Sequence, residues 1–437
     1  MKFKNIRISI IGLGYVGLPL AVEFGKKFPT LGFDINKKRI FELKRKIDKT
    51  KEVAKSNLSR AKNLKFTNKI DDIKKSNVFI VTVPTPIDKN KKPNLSYLLL
   101  ATKIVAKNLK KNDIVIYEST VYPGTTEEIC VPILKKISGL DYIFEKNLKV
   151  KKSGFYCGYS PERINPGDKN HQIKNITKVV SGSTNKITKF IKQLYSKIIS
   201  ADIYVAPNIK TAEASKIIEN TQRDLNIALV NELSIIFKKM NLDTKEILKA
   251  ANTKWNFAYY EPGLVGGHCI GVDPYYLTYK ARQLGYKPKI VLAGRKLNDS
   301  MGKVVGLGLL KEVKKQNKKN KIKKNNILIM GATFKENCRD FRNTKIIDIY
   351  NFLRIRKANV DLFDPNIDKK KFYQEYKIKI FNKMNNLKKK YNAIVIAVPH
   401  KQFIRMGIDK IRSYCHKNSI IYDVKGIFEK TQTNLRL

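Results

Sequence analysis

Apolar residues recur along this chain in two rhythms, short unbroken runs and longer stretches at helical spacing, and the two alternate in the order strand, turn, helix. Residues 7–11 form an isoleucine-rich run that stops at Gly12-Leu13-Gly14-Tyr15-Val16-Gly17, after which residues 18–28 continue at helical spacing. A second short strand, 30–33, ends in Asp34, 22 residues past Gly12. Strands at 78–83 and 113–117 run into Pro84-Thr85-Pro86 and Glu118-Ser119-Thr120. The same order returns near the carboxyl end, where 326–331, 360–364, 393–399 and 419–424 mirror those four strands. Between the repeats, residues 211–239 hold Ala214, Ile217, Leu225, Ala228 and Ile236 at helical spacing without Pro or Gly. They predict one helix of roughly 45 Å at about 1.5 Å per residue, fit for a spine, a dimer seam or a plain core helix. The fold class is therefore α/β, two Rossmann-like doubly wound domains joined by a long central helix. The expected domains are 1–205, 206–310 and 311–437, with the Lys/Asn-rich stretch 311–325 as a solvated helix tail and linker.

The first repeat carries a reason to hold a dinucleotide. Gly12 permits the turn, Gly14 lets backbone N–H groups approach a pyrophosphate, Gly17 lets helix and strand pack, and the helix N-terminus favours the anion. Asp34 stands where a ribose diol is read, and its charge prefers NAD to NADP. The second repeat has Gly331-Ala332-Thr333-Phe334-Lys335 instead of the three-glycine turn, so a second dinucleotide is not expected there. Thr85, Glu118 and Thr120 sit in loops that line the crevice of an open parallel sheet, although ordinary turn chemistry explains them equally well. The densest unusual stretch is 261–274, with four glycines, two prolines, His268, Cys269 and Asp273. It presents a thiol with an acid/base group four residues on; the competing reading is a small buried cysteine, which suits Cys130, Cys157, Cys338 and Cys415. His268 is given no role. Lys216 and Asn220 share one helix face at i, i+4, and Ser160-Pro161-Glu162-Arg163 follows an aromatic stretch.

Composition changes the picture in one respect. Lys+Arg number 88 against 37 Asp+Glu, a formal charge of +51 on 437 residues. A nucleic-acid binder would use such a field, but 15 of the 88 are Arg and 73 are Lys, and dedicated phosphate readers lean on Arg's bidentate fork. Lysine spread everywhere, with abundant Asn and Ile, fits codon drift in an A/T-rich genome; no nucleic-acid partner is expected, and an anionic substrate would still gain from the field. The five cysteines show no C-x-x-C, which points to a reducing compartment. Lys2, Lys4 and Arg7 before an uncharged stretch imitate a leader, but its glycines, Glu23 and the lack of an A-x-A site argue against one. With no apolar run of about 20 residues, a cytoplasmic location without membrane insertion is expected. Four scattered histidines and no H-E-x-x-H leave no metal site.

Gly12 to Gly17 with Asp34, Ser160 to Arg163, Lys216 with Asn220, the Gly266-Gly267-His268-Cys269 loop with Asp273, and 331–344 (GATFKENCRDFRNT) together resemble the UDP-glucose/GDP-mannose dehydrogenase family across essentially the whole chain. Thr253 to Phe257 and 262–277 (PGLVGGHCIGVDPYYL) are similar to its branch acting on UDP-N-acetylhexosamines, including Vi-antigen-type enzymes. Arg339, Phe341 and the run Ala258-Tyr259-Tyr260-Glu261 depart from that branch and bear on fine substrate preference. The resemblance implies four-electron oxidation of a sugar C6 alcohol to a carboxylate with two NAD and a thioester, serving surface polysaccharide synthesis, with UDP-N-acetylglucosamine as the first substrate. It implies catalytic roles for Cys269, Glu162, Lys216, Asn220 and Asp273, NAD contacts at Gly12, Gly14, Gly17, Asp34, Arg39, Thr85 and Thr120, and substrate contacts at Tyr259, Gly263, Lys335 and Arg342. The carboxyl-terminal unit would hold the uridine diphosphate, and the central helix would pair subunits into a homodimer or larger assembly. The rivals are the same reaction on UDP-glucose or GDP-mannose, a two-electron hydroxyacid dehydrogenase, and a basic nucleic-acid binder.

Overall fold

The computed structural model describes residues 5–147, 153–164, 173–320, 325–387 and 389–437, so part of the expected linker, 321–324, lies outside the described residues. The chain divides into two compact units, Met1–Glu219 with Tyr275–Tyr286, and Asn220–Pro274 with Lys287–Leu437. The division falls within the central helix Ile209–Lys239, so residues 206–310 contribute to both units.

The first unit is built on β1 (Ile8–Ile11), β2 (Thr30–Phe33), β3 (Leu64–Thr67), β4 (Val78–Val81), β5 (Ile114–Tyr117), β6 (Tyr156–Tyr159), β7 (Lys178–Gly182) and β8 (Ile203–Val205). Their order is β3-β2-β1-β4-β5-β6-β7-β8, parallel throughout except for the antiparallel β6–β7 pair. The first six follow the doubly wound arrangement, whose order reverses between β1 and β4 and opens a ligand crevice at the strand carboxyl ends. Strands β1, β4 and β5 are buried along their whole length, because helices cover both faces of a parallel sheet and a continuous apolar run is what such a strand needs. The first helix, Gly17–Gly25, stops short of residue 28 because Phe28 precedes Pro29, which disfavours helical backbone there.

The second unit carries β9 (Asn326–Met330), β10 (Asn359–Phe363), β11 (Tyr391–Ile396), β12 (Cys415–Asp423) and β13 (Leu435–Arg436). They are all parallel in the order β10-β9-β11-β12-β13, the other common doubly wound order. The helix Lys289–Asn320 runs into 311–325 as the helix tail expected there, as far as Asn320. The reason is Val313, which continues the apolar stripe of Val305, Leu309 and Leu310 into the core around β9 and β11.

The internal repeat extends to single hydrogen bonds. Asp34 accepts from the N–H groups of Leu13 and Asn36, both at 2.9 Å. Asp364 accepts from those of Ala332 and Asn366, at 2.7 and 2.8 Å. A Cβ on Gly12 would press on Val83, as one on Gly331 would press on Val398.

Candidate active site

In the first unit the turn after β1 is shaped by close approach. Gly12 adopts φ +96°, the left-handed region. A Cβ on Gly17 would lie 1.9 Å from Gly12 O, whereas a Cβ on Gly14 would meet nothing within 4 Å. Gly17 packs the helix onto the turn, and Gly14 leaves space in front of the helix N-terminus. Arg39 donates from Nε to Leu13 O at 3.0 Å and from Nη1 to Asp48 at 2.8 Å. Its Nη2 is buried and unpartnered among the described residues. Thr85 Oγ1 donates to Thr120 O at 2.6 Å, which ties the loops after β4 and β5 together, and Tyr276 OH donates to Thr85 O at 2.6 Å.

Glu162 follows β6 and is buried. Its Oε1 accepts from Ile164 N–H, and its Oε2 lies 4.0 Å from the ammonium of Lys178. Lys178 in turn donates to Glu118 at 2.7 Å and to Pro161 O at 3.1 Å, while Tyr195 OH donates to Glu118. Glu118 is therefore not a crevice-lining group: it is the enclosed counter-ion of Lys178. Burial pushes its carboxyl upward against the pull of that ammonium, and the nearby Glu162 pushes the same way. Arg163 reaches Glu219 at 2.5 Å. Lys216 is buried on the central helix, one turn before Asn220.

In the second unit, Asn220 Nδ2 donates to Asp273 Oδ2 at 2.5 Å. Asp273 is the first residue of the helix Asp273–Gln283, and its N–H donates to Cys269 O at 2.8 Å. The half-buried Cys269 is thus held at the start of a helix. Burial pushes up the thiols of Cys130, to about 12, and Cys415, to about 11, and raises those of Cys157 and Cys338 as well. Gly263 is gripped on both sides by the Asn231 amide, which accepts from its N–H at 2.8 Å and donates to its C=O at 3.0 Å. Arg342 folds onto Asp340 at 2.5 Å and approaches His268 at 3.4 Å. Burial raises the Asp340 carboxyl, but the Arg342 guanidinium outweighs it and holds the group below its ordinary range. His268 is pushed down to about 4 by burial and then by Arg342, so its ring is neutral near pH 7. The Lys335 ammonium stands over the Phe334 ring. The Tyr259 hydroxyl donates to Glu261 at 3.1 Å.

Three matched models cover most of the chain. They are the NAD binding domain (residues 6–199), the central domain (210–300) and the UDP binding domain (328–430) of one family. The chain belongs to the UDP-glucose/GDP-mannose dehydrogenase family. UDP-N-acetyl-D-glucosamine 6-dehydrogenase of Salmonella typhi is 51% identical over 433 residues, covering 99% of each chain. The Pseudomonas aeruginosa protein of the same name is 51% identical over 434 residues, 99% of this chain and 100% of its own. The solved structure of the UDP-D-ManNAc dehydrogenase from Pyrococcus horikoshii matches with TM-score 0.84 and 29% identity over 97% of this chain and 96% of that one. The two Rossmann-like units and the long helix expected from the pattern accord with this membership.

This NAD-dependent dehydrogenase has a turn that fits its cofactor: the open space at Gly14, the N-terminus of Gly17–Gly25 and the unpartnered Arg39 Nη2 are what a pyrophosphate and ribose require. The second unit is built differently at the matching point. His400, at the position equivalent to Thr85, places Nε2 2.9 Å from Asp364 Oδ2 and accepts from Asn337 N–H at Nδ1, 2.9 Å. The acid that mirrors Asp34 is thus engaged by the protein's own imidazole. The pattern along the chain missed His400, Lys178 and Asn231; only the Val-Pro preceding both Thr85 and His400 could have pointed to the first. Among the described residues no cluster of His, Cys, Asp and Glu could hold a metal, and no helix is long and apolar enough to cross a membrane.

Proposed function

We propose that this dehydrogenase oxidises the C6 hydroxyl of a UDP-N-acetylhexosamine, UDP-N-acetylglucosamine first, to the uronic acid through thiohemiacetal and thioester stages on Cys269. The observation that carries the reading is the Asn220–Asp273 bond at the start of the helix whose first N–H holds the Cys269 carbonyl. It ties a nucleophile, a carboxylate and an amide into one local unit. The names of the two relatives at 51% identity support the substrate.

NAD would be held by Gly12, Gly14, Gly17, Asp34, Arg39, Thr85 and Thr120 and would supply the oxidising power, each of two molecules accepting one hydride, two electrons, from C6. Asp273 and Lys216 hold the water that takes the hydroxyl proton as the alcohol becomes an aldehyde. Cys269 Sγ then bonds to C6 while the thiol proton passes to the carbonyl oxygen, which restores a tetrahedral carbon with one remaining hydrogen; that hydrogen would leave as hydride to the second NAD and the hydroxyl proton to water, giving the thioester. Lys216 and Asn220 stabilise the oxyanions. Glu162, whose Oε2 lies 4.0 Å from the Lys178 ammonium and has no hydrogen-bond partner among the described residues, orients the water that splits the thioester, releasing the carboxylate and regenerating the thiol. Lys335 and Arg342 neutralise the diphosphate, with Gly263 and Tyr259 along the sugar side. Ile218, Leu229, Ile236 and Met240 are exposed on or just after the central helix, and a second copy of the chain covers them in a homodimer. The protein works in the cytoplasm, where NAD and nucleotide sugars are made, and its product enters surface polysaccharide.

The test is the count of NADH per sugar under limiting UDP-N-acetylglucosamine, with UDP-N-acetylgalactosamine, UDP-glucose and GDP-mannose alongside. Two NADH from a UDP-N-acetylhexosamine, and none of the second NADH in Cys269→Ser, are expected. One NADH with unmodified protein, or an unaffected Cys269→Ser, refutes the covalent route.

A further inference from the structure

The cysteine loop poses a physical problem. Between Asn231's grip on Gly263 and the helix that begins at Asp273, the chain has no regular structure and includes Gly266, Gly267 and Gly271. Glycine carries the largest backbone entropy of any residue, yet a thiol must meet a carbonyl carbon within a few tenths of an ångström for an efficient reaction. Something must fix the middle of this loop, and the structure shows what does.

Asn343 reaches into it from the segment that bears Lys335 and Arg342. Its backbone C=O accepts from Gly267 N–H at 3.1 Å, and its side-chain Nδ2 donates to Gly267 C=O at 2.7 Å. One residue therefore closes both polar groups of Gly267, two positions before the thiol. The fit accounts for the glycines. A Cβ on Gly266 would lie 2.7 Å from Asn343 O, one on Gly267 would strike the Phe334 ring at 2.7 Å, and one on Gly271 would touch Asn343 Nδ2 at 3.5 Å. Gly267 is at φ +80°, and Asn343 itself is left-handed at φ +51°, a region that Asn tolerates far better than branched or bulky residues. The bent backbone of Asn343 aims its carbonyl and its amide at the same glycine. Asn343 immediately follows Arg342, whose guanidinium contacts Asp340 and His268.

We infer that Asn343 is a positioning residue that sets the Cys269 thiol, linking the cation-bearing segment 333–344 to the cysteine loop so that a seated nucleotide sugar brings the thiol into register. This rests on the function proposed above. Its consequence is specific to one chemical event. Oxidation of the alcohol to the aldehyde needs no thiol, whereas capture of the aldehyde does, so loosening the clamp uncouples the two oxidations and frees the aldehyde.

The experiment uses full-length protein with NAD and UDP-N-acetylglucosamine. Wild type, Asn343→Gly, Asn343→Asp and Cys269→Ser are assayed for NADH per sugar, with hydroxylamine present to trap released aldehyde and mass spectrometry to measure it. Asn343→Gly keeps the left-handed backbone and loses the donor; Asn343→Asp keeps the shape and replaces the amide donor with a carboxylate. Asn343 lies exposed on the surface, and thermal melting verifies that both variants fold. Both are expected to trap aldehyde in most turnovers and to fall from two NADH toward one. The overall rate should drop about 10–100-fold, the scale of an ångström-level misplacement, with KM for the sugar within about threefold. Two NADH per sugar with no trapped aldehyde in both variants overturns the inference, as does an equal loss of the first and second NADH. A Cys269→Ser protein that still yields two NADH instead overturns the covalent reading itself, so the two failures are distinguishable.

Discussion

Two alanine substitutions three residues apart test whether the glycine turn is a packing device, a ligand device or both. At Gly17 an added Cβ would lie 1.9 Å from Gly12 O and 2.4 Å from Thr82 Oγ1. Non-bonded carbon contacts relax near about 3.5–4.0 Å, so the first helix must retreat by about 1.5 Å from the end of β1. Overpacking costs about 1–3 kcal/mol where side chains can yield, and occasionally more. Here the main obstacle is backbone, which places Gly17→Ala near about 3 kcal/mol. For a unit of this size that is roughly 6–12 °C in Tm. Gly14→Ala meets nothing within 4 Å, so its stability should stay within about 0.5 kcal/mol of wild type. The methyl group would instead fill the space that the cofactor's pyrophosphate needs, and NAD affinity should fall at least about tenfold, about 1.4 kcal/mol. Differential scanning calorimetry without ligand and titration calorimetry with NAD separate the two effects. Equal losses of Tm in both variants, or undiminished NAD binding by Gly14→Ala, would refute the reasoning. Because the chain has two units, the calorimetric transition containing the first unit is the one to follow.

Two further predictions concern buried charge. Glu213 accepts from the N–H groups of Gly124 and Thr126 at 2.6 and 2.9 Å, and burial above all, with Glu127 adding, pushes its carboxyl up to about 7 from 4.5. A raised native pKa adds stability that is complete below about pH 4.5 and lost as pH climbs through about 7. Stability of wild type minus that of Glu213→Gln, measured by urea unfolding, should therefore decline by up to about 3 kcal/mol across that window; a flat difference would contradict the burial argument. Arg295 and Asp224 form a buried pair at 2.5 Å, with Asn298 also donating to Asp224. Arg295→Met strands the carboxylate and should cost about 3–5 kcal/mol, and Asp224→Asn in the same chain should restore much of it. Additive losses in the double variant would show that the pair is not coupled.

What the chain order alone determined is what local physics writes into neighbouring residues. Parallel strands buried on both faces need unbroken apolar runs, so β1, β2, β4, β5 and their four counterparts were legible, as was the central helix with its lack of Pro and Gly. The glycine turn and Asp34 were legible because steric approach and a fixed spacing dictate residue type. The edge of the first sheet from β6 to β8, with its antiparallel β6–β7 pair, was not read, since short strands of mixed polarity such as Lys178–Gly182 show no period distinct from their surroundings. The helix Lys289–Asn320 forms the helix tail expected over part of 311–325, with Val313 buried and Lys311, Lys314 and Lys315 exposed.

Only the tertiary structure decided which polar groups meet. Glu118 finds Lys178 60 residues away, His400 finds Asp364 at 36, Asn343 finds Gly267 at 76, and Asn231 finds Gly263 at 32. In each case one partner is a backbone group, or a charge whose exposed and buried forms have the same one-letter code. Nothing periodic marks an asparagine that clamps a glycine, because the clamp is one hydrogen-bond geometry formed once, between segments far apart in the chain. Burial turns Glu118 from a surface carboxylate into an internal counter-ion, and only chain segments brought together in space create that burial.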